Sequence, residues 1–277
     1  PAVYPLWCLM KEANKMRIPV LLEGQGADEE LGGYTWYSIL NLLNILSNYK
    51  QERNFNNQRI HRILSGIIKA YGIKQSTLWL IRELFPSLKN IYRKRIGLKG
   101  LFKEEFSFDN YNSDEKQFDI KDSNIVTRRL LFDHSSNILP GLLHYGDAIS
   151  MAHSVESRHP FLDYRLVEWL FKQPDHVKFN NGISKYILRE YLKNNNQEKI
   201  ANRFDKKGYP TPIAKWIFKN NYEIINETIL APSAKLNDFF KSKSINKMVK
   251  RFKSSDDQVA YHLFKLISIE IWLNECF

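Results

Sequence analysis

Apolar residues occur along the chain in two patterns, one continuous run and a repeat of three to four residues. A short run with β-branched side chains at 17–22 predicts a buried strand at 17–23. Elsewhere apolar residues return every three or four positions, which predicts amphipathic helices. The predicted helices lie at 1–16, 30–46, 58–70, 76–84, 88–95, 126–139, 141–154, 164–172, 185–194, 213–230 and 258–275, with a polar loop at 104–123. The pattern predicts a mostly helical α/β fold around the remnant of a parallel sheet.

The predicted strand ends in a glycine-containing turn that carries carboxylates. Gly24 and Gly26 follow the strand, and Asp28 and Glu29 occupy the first turn of the next predicted helix. Open α/β folds bind ligands at the carboxyl edge of the sheet, where glycines let the backbone approach a phosphate and an Asp can bind Mg²⁺. The same residues fit a tight turn followed by an acidic helix N-terminus, which the helix dipole favours. Taken alone, this segment leaves both interpretations open.

Composition narrows the classes of protein. A chain of 277 residues that is 43% hydrophobic can bury one domain, or one domain with a helical lobe. Its net charge of +11 is scattered and accompanies no nucleic-acid-binding motif, so nucleic acid is not the expected partner. No apolar run reaches the roughly 18 residues of a membrane span. The two cysteines, Cys8 and Cys276, are typical of a reduced cytoplasmic protein.

Three further segments strengthen the ligand-binding interpretation of the glycine turn at 24–29. Residues 21–34 read LLEGQGADEELGGY, and the others, at 140–163, 182–190 and 203–212, read PGLLHYGDAISMAHSVESRHPFLD, GISKYILRE and RFDKKGYPTP. In this order the four segments resemble the synthetase domain of glutamine-hydrolysing asparagine synthetases. The resemblance implies a parallel sheet of the adenine-nucleotide α-hydrolase type, also called the PP-loop ATP pyrophosphatase type, with a helical C-terminal lobe.

The resemblance also implies an organisation of the chain. Residues 1–50 would form the strand, glycine turn and helix of a nucleotide-binding edge, 51–125 a variable helical segment, and 126–277 a helical lobe with substrate and pyrophosphate loops. The family's N-terminal glutaminase domain and its Ser-Gly-Gly-x-Asp-Ser phosphate loop do not occur in these 277 residues. We therefore expect a C-terminal fragment that is inactive by itself.

The implied reaction consumes ATP with Mg²⁺. Aspartate would be adenylated on its β-carboxylate and amidated by ammonia from a glutaminase domain, giving asparagine, AMP and pyrophosphate. Two alternatives stay open. The same chemistry would act on another carboxylate, such as a sugar acid or a peptide, or the chain would be a non-catalytic or nucleic-acid-binding remnant of the fold. A homodimer is also left open.

The resemblance assigns roles to particular residues. Asp28 would bind Mg²⁺ and pyrophosphate, and Gly24, Gly26 and Glu29 would complete the nucleotide edge. Lys185 would contact pyrophosphate, and its place at a predicted helix start, where the dipole disfavours a cation, also indicates a ligand. Lys206 would stabilise the transition state, although the adjacent Lys207 leaves the register open by one residue. We expect Asp28 and Lys206 to face each other across one cleft.

The remaining candidates concern the acceptor. Gln25 stands where many family members carry Glu or Asp, and because an amide cannot act as a base, this difference bears on the substrate. The candidates for the substrate pocket are Asp147, Ser150, Met151, Glu156 and Arg158. For Glu156 and Arg158, a buried structural ion pair is an equal alternative to substrate contact.

Overall fold

The chain folds into two units of unequal size. A computed structural model describes residues 3–52, 57–85, 101–106, 124–204, 211–219, 223–252 and 257–277. The larger unit comprises 5–86 and 113–207, and the smaller one comprises 1–4, 87–112 and 208–277. Both units are mostly helical where they are described. The prediction of a mostly helical α/β protein with a small parallel sheet is therefore confirmed.

Eleven described helices and four short strands belong largely to the larger unit. The helices are α1 (Val3–Lys15), α2 (Ala27–Leu31), α3 (Thr35–Glu52), α4 (Asn57–Tyr71), α5 (Ile73–Leu84), α6 (Ile125–Phe132), α7 (Leu139–Ala152), α8 (Tyr164–Lys172), α9 (Asp175–Lys178), α10 (Tyr186–Asn194) and α11 (Glu198–Ala201). A π-helical turn (Asp133–Asn137) joins α6 to α7. The strands are β1 (Val20–Leu22), β2 (Glu156–Arg158), β3 (Phe179–Asn180) and β4 (Ile183–Ser184).

The parallel sheet is smaller and more polar than the apolar run predicts. β1 pairs in parallel with β2, and Val20 lies opposite Glu156 while Leu22 lies opposite Arg158. The strand starts at Val20, not at 17, because Arg17 adopts a left-handed backbone with φ 57° and the Ile18 amide still bonds to the end of α1. β2 is not predicted from the sequence, since its residues Glu-Ser-Arg carry no apolar signal.

The glycine pair Gly32-Gly33 divides a helix that the sequence predicts as continuous over 30–46. Gly32 ends α2 in the left-handed region, with φ 70°. A Cβ at this position would also lie 2.1 Å from the ring of Phe179, so a larger residue does not fit. The apolar period alone does not detect this break, because helix residues flank it on both sides. As a result, α2 is a short separate helix that begins at the glycine turn.

A hairpin that the sequence analysis missed leads into α10. β3 and β4 are antiparallel, and Asn181 and Gly182 between them have φ values of 47° and 77°. Positive φ at both central residues is the requirement of a type I′ turn, for which Asn-Gly is the preferred sequence. The turn packs closely on α4, since a Cβ at Gly66 would lie 1.8 Å from the carbonyl oxygen of Asn181. This hairpin places Ser184 and Lys185 at the start of α10.

Three apolar clusters hold the larger unit together, and each uses residues distant in sequence. The first joins α3, α6 and β3 through Tyr37, Leu40, Val126, Leu130 and Phe179. The second joins α1, α7 and the residue before β2 through Met10, Ala13, Ile149 and Val155. The third joins α3 to α4 through Ile39, Leu42, Ile63 and Ile67. Phe179 in the first cluster anchors β3, and with it the hairpin, against α3 and α6.

The smaller unit is described as five helices and one short 3₁₀ turn. The helices are α12 (Ile213–Lys219), α13 (Glu223–Glu227), α14 (Leu236–Phe239), α15 (Ser242–Arg251) and α16 (Asp257–Cys276), and the turn is Glu104–Phe106. Its core includes Leu236, Ile245, Leu263 and Leu266, all nearly inaccessible to solvent. The buried Glu270 of α16 accepts hydrogen bonds from the backbone amides of Lys235 and Leu236, at 3.0 and 2.8 Å.

We expect the Glu270→Gln variant to unfold with about 1–2 kcal/mol less free energy than the wild type. The amide is uncharged and has one acceptor oxygen, so both backbone amides at the start of α14 would lose a charged partner and one of them would lose its acceptor. Urea unfolding followed by circular dichroism measures this difference. Glu275→Gln, an exposed position on the same helix, is the matched control and should change stability little.

Most of the predicted helices agree with the structure within a few residues. The prediction for 213–230 covers α12 and α13, with residues outside the described chain between them. The helix predicted at 88–95 and most of the predicted loop at 104–123 also lie outside the described residues. Within the described ranges, no helix is both long enough and apolar enough to cross a membrane.

Candidate functional site

The glycine turn after β1 is built for a close approach of backbone to side chain. Gly26 precedes α2 with φ 94°, and a Cβ there would lie 2.3 Å from Leu162 Cδ2. Its carbonyl accepts the first helical hydrogen bond, from the Glu30 amide at 2.9 Å. Only glycine combines this backbone conformation with the available space. The turn thus presents the first residues of α2, including Asp28, beyond the end of the strand.

Asp28 pairs with Lys185. The ammonium Nζ lies 2.5 Å from Asp28 Oδ1, and each side chain is 28% exposed. Both side chains lie directly over Gly33, because a Cβ at this position would be 1.9 Å from Asp28 Oδ1 and 2.5 Å from Lys185 Cε. Gly33 therefore provides space for the pair and not an unusual backbone angle. Two of the predicted site residues, distant in the sequence, come together here.

Lys185 has an uncommon backbone conformation. It stands before α10 in the left-handed region, with φ 56° and ψ 34°. For a residue with a Cβ this conformation costs about 1–2 kcal/mol, so the neighbouring contacts must hold it. The Lys185 amide donates to the Leu31 carbonyl at 3.1 Å, at the end of α2. This bond ties the helix that carries Asp28 to the residue that carries the ammonium.

A cavity of about 380 Å³ opens beside this pair. Its charged lining comprises Asp28, Lys185, Arg189 and Arg203. Gly33, Phe204 and residues of α4, β4, α10 and α11 form the other walls. Three cations against one carboxylate make the cavity suitable for an anionic ligand.

The two glutamates after Asp28 point away from solvent. Glu29 is 1% exposed and accepts a hydrogen bond of 2.7 Å from the hydroxyl of Tyr34, which stacks on Trp36. Burial raises the pKa of Glu29, although the bond from Tyr34 opposes this shift. Through this bond Glu29 holds Tyr34 in the segment that follows Gly33, and it does not line the cavity beside Asp28.

Glu30 is the more unusual of the two. It is fully buried, and neither carboxylate oxygen has a hydrogen-bond partner among the residues that the structure describes. Burial, with a smaller contribution from Glu29, raises its pKa from 4.5 to about 8. His134 Nδ1 lies 3.8 Å from Glu30 Oε1, and burial lowers the pKa of that imidazole. The sequence analysis did not single out Glu30, since charge alone does not reveal burial.

The other predicted residues of the turn and of α7 lie in different environments. Gly24 is exposed, and a Cβ there would have no neighbour within 4 Å, while Gln25 is half-buried. On α7, Ser150 is fully buried and donates to the carbonyl of Asp147, whereas Asp147 and Met151 are exposed. These three residues share the predicted helix, but they do not line the cavity beside Asp28.

Glu156 and Arg158 form an ion pair on the surface of β2. Arg158 Nε lies 2.8 Å from Glu156 Oε1, and the two side chains are 55–60% exposed. The prediction that they pair is confirmed, but the alternative that the pair is buried is wrong. In a strand the residues i and i+2 share a face, and this face points to solvent. The hydrogen bond from Arg158 lowers the pKa of Glu156.

The second predicted cation lies outside the described residues. Lys206 and Lys207 belong to the segment 205–210, so a cleft between Asp28 and Lys206 stays a prediction. Phe204, two residues before Lys206 in the sequence, lines the cavity. The structure also brings Arg189 and Arg203 to this cavity. Both arginines stand within the segments that resemble the family, but no local pattern in the sequence marks them as site residues.

Comparison with known proteins identifies the family. Residues 1–274 match the family model described as asparagine synthase. The chain belongs to the asparagine synthase family. This assignment agrees with the resemblance carried by the four segments, two of which supply the Asp28–Lys185 pair.

The curated relatives are distant and much longer than this chain. Glutamine-hydrolyzing asparagine synthetase 1 of Bacillus subtilis is 29% identical over 235 residues, which are 83% of this chain and 36% of that protein. A putative glutamine-hydrolyzing asparagine synthetase of Mycobacterium bovis is 26% identical over 233 residues, 78% of this chain and 33% of that protein. Amidase chry2 of Gibberella zeae is 37% identical over 81 residues, 27% of this chain and 12% of that protein. The chain thus spans about a third of the length of the two synthetases. No solved structure matches it.

Proposed function

We propose that this chain carries the synthetase site of a glutamine-dependent amidotransferase. In the proposed reaction, ATP adenylates the β-carboxylate of aspartate, and ammonia displaces AMP to give asparagine, with pyrophosphate as the other product. The observation that carries the proposal is the Asp28–Lys185 pair on a cationic cavity, in a member of the asparagine synthase family. The proposed fold of the nucleotide-binding edge is the PP-loop ATP pyrophosphatase type.

The residues at the cavity fit a magnesium-bound pyrophosphate. Mg²⁺ binds through one or two carboxylates, and phosphate oxygens and water complete its octahedron. Asp28 offers one carboxylate at the cavity wall, and among the described residues no group of three His, Cys, Asp or Glu side chains is placed to hold a metal alone. This donor set supports a metal that arrives with the nucleotide, and Mg²⁺ would neutralise charge on the phosphate oxygens.

The chain's own groups divide the work in this proposal. Asp28 holds the metal side of the pyrophosphate, and Lys185 stabilises the negative charge that collects on it as it leaves. Gly24 and Gly26 allow the backbone to approach the phosphates, and Lys206 stabilises the transition state at the reacting carboxyl. Asp147, Ser150, Met151, Glu156 and Arg158 remain the proposed acceptor side. The partners we propose are aspartate and ammonia from a glutaminase domain. The location we propose is the cytoplasm.

A second acceptor is supported by Gln25. This residue replaces the acidic side chain that many family members carry, and it cannot accept a proton as a base. One relative, which matches this chain over 81 residues, is named an amidase. The relatives of this chain therefore bear more than one functional name. The alternative proposal is therefore the same adenylation and amidation on another carboxylate, such as a sugar acid or a peptide.

The test measures pyrophosphate release by the protein as its gene encodes it. We expect release to require ATP, Mg²⁺ and aspartate, and to fall about tenfold or more in the Asp28→Asn variant, which keeps the shape of the side chain and removes its charge. Glu168→Gln, an exposed partner of Lys172, is the matched control and should turn over like the wild type.

The outcomes separate the candidates. Release that responds to another carboxylic acid but not to aspartate would reject asparagine synthesis and favour the second acceptor. Wild-type turnover in the Asp28→Asn variant would place the site elsewhere. A protein with no turnover on any acid, and with binding to nucleic acid that weakens steeply as salt rises, would support the remnant interpretation.

A further inference from the structure

Arg189 lies one helical turn after Lys185 and makes three hydrogen bonds to two separate segments. Its Nε donates to the carbonyl of Ser184 at 2.9 Å. Its Nη1 donates to the carbonyls of Ala201 at 2.6 Å and Arg203 at 2.9 Å. The planar fork of an arginine is suited to such divergent bonds, whereas a lysine presents a single point charge.

Each end of this network lies next to a wall of the cavity. Ser184 immediately precedes Lys185, and its buried hydroxyl also lies 3.1 Å from the hydroxyl of Tyr71. At the other end, the Arg189 guanidinium stacks over the Phe204 ring, 4.8 Å from its centroid. Arg203 and Phe204 line the same cavity as Lys185 at the start of α10. One half-buried side chain thus links the residue before Lys185 to the chain that enters the KKGYPTP segment.

The backbone of Lys185 explains why such a link is needed. Its left-handed conformation persists only if surrounding contacts outweigh its cost. Three such contacts are present: the Leu31 carbonyl on the Lys185 amide, and the Tyr71 hydroxyl and Arg189 guanidinium on Ser184. The Ser184 carbonyl and the Lys185 amide belong to one planar peptide unit, so the Arg189 and Leu31 bonds hold that unit from its two sides. Without the Arg189 bond only the Leu31 bond remains on this unit, and the direction of Lys185 toward Asp28 is held less firmly.

We propose that Arg189 is a positioning residue that holds Lys185 against Asp28 and fixes the Arg203–Phe204 wall of the same cavity. This inference rests on the proposed function for its ligand, magnesium pyrophosphate. The geometric part of the inference is independent of the proposed function, because the coupling between Asp28 and Lys185 can be measured without any ligand. Arg189 acts through Lys185 and needs no contact with the ligand.

The first measurement is the affinity for magnesium pyrophosphate by calorimetry, in the protein as its gene encodes it. We expect Arg189→Met and Arg189→Lys each to weaken binding about tenfold, since the lysine keeps the charge but not the three bonds. In a Lys185→Ala background, Arg189→Met should weaken binding clearly less than tenfold, because its route through Lys185 is already removed and only its effect on the Arg203–Phe204 wall remains. Arg165→Lys, at a 75% exposed arginine, is the matched control and should bind normally.

The second measurement needs no ligand. A double-mutant cycle of Asp28→Asn and Lys185→Met, followed by urea unfolding, gives the coupling between the two side chains. We expect this coupling to fall to half or less in the Arg189→Lys background. This conservative variant keeps the test possible if Arg189→Met does not fold. The same cycle in the Arg165→Lys background should retain the full coupling.

Three results would overturn the positioning role. The first is full affinity in Arg189→Lys, which would mean that only charge matters. The second is that Arg189→Met weakens binding by the same factor in the Lys185→Ala background as in the wild type. The third is that the coupling between Asp28 and Lys185 is unchanged in the Arg189→Lys background. A wild-type protein that does not bind magnesium pyrophosphate would instead count against the proposed function, and the coupling cycle would still decide the role of Arg189.

Discussion

In the Gly33→Ala variant we expect magnesium pyrophosphate to bind about 100-fold more weakly, while the larger unit stays folded. The added methyl would lie 1.9 Å from Asp28 Oδ1 and 2.5 Å from Lys185 Cε, so both side chains must move. These atoms are the ends of flexible side chains and not backbone, and the fold therefore does not have to shift. Because the variant displaces both charged groups at once, its effect on binding should exceed that of removing either one.

The decisive comparison is between binding and stability. Calorimetric affinity should fall steeply, while the free energy of unfolding in urea changes by only about 1 kcal/mol. Gly141→Ala is the matched control, since a Cβ there has no neighbour within 4 Å, and it should bind like the wild type. Unimpaired binding by Gly33→Ala would show that the Asp28–Lys185 pair does not form the pyrophosphate site.

In the Glu30→Met variant we expect a gain in stability over the wild type that grows as the pH rises. Met has a similar volume and no polar atom to satisfy, and the Glu30 carboxylate has no hydrogen-bond partner among the described residues. Between pH 5 and pH 8 the gap between the two unfolding free energies should widen by on the order of 3 kcal/mol. Urea unfolding at a series of pH values measures this gap.

Stability falls as the pH rises because the pKa of Glu30 is higher in the folded state than in the unfolded state. Burial raises the pKa of Glu30 from 4.5 to about 8, so the folded state binds a proton that the unfolded state has already released. The wild type is therefore most stable, as far as this group is concerned, below pH 4.5, and it loses stability as the pH rises toward 8. His134 acts in the opposite direction, because burial lowers its pKa from 6.5 and its protonation opposes folding in acid. Burial also raises the pKa of Glu29, so this group too loses stability for the folded state as the pH rises above 4.5.

Glu168→Gln removes an exposed carboxylate and is the control for this series. Its stability should follow the wild-type pH profile. If Glu30→Met also runs parallel to the wild type from pH 5 to 8, then Glu30 is charged in the folded protein and has a partner, and the account of a neutral buried acid is wrong.

The site shows where local sequence signals were sufficient. Gly26 and Asp28 could be predicted from a strand followed by glycines and carboxylates, since the backbone of a tight turn and the acidic start of a helix depend on near neighbours. Lys185 could be predicted because a cation at a helix start opposes the dipole. Each of these signals lies within a few residues of the group that it concerns.

Contacts between distant segments were not predictable in the same way. β2 is polar and has no apolar period, so only its pairing with β1 defines it as a strand. The break at Gly32 depends on the Phe179 ring, which arrives from far along the chain. The exposure of the Glu156–Arg158 pair likewise depends on which face of a two-stranded sheet is covered.

By itself, the sequence determined the family, the helical character and the residues that carry charge at the turn, because these follow from motifs and short-range periodicity. Only the tertiary structure decided that Asp28 meets Lys185 over Gly33, that Arg189 joins two segments, and that Glu30 is buried. The reason is physical: spacing along a chain fixes which residues share an element, whereas burial and pairing arise when elements distant in sequence pack together.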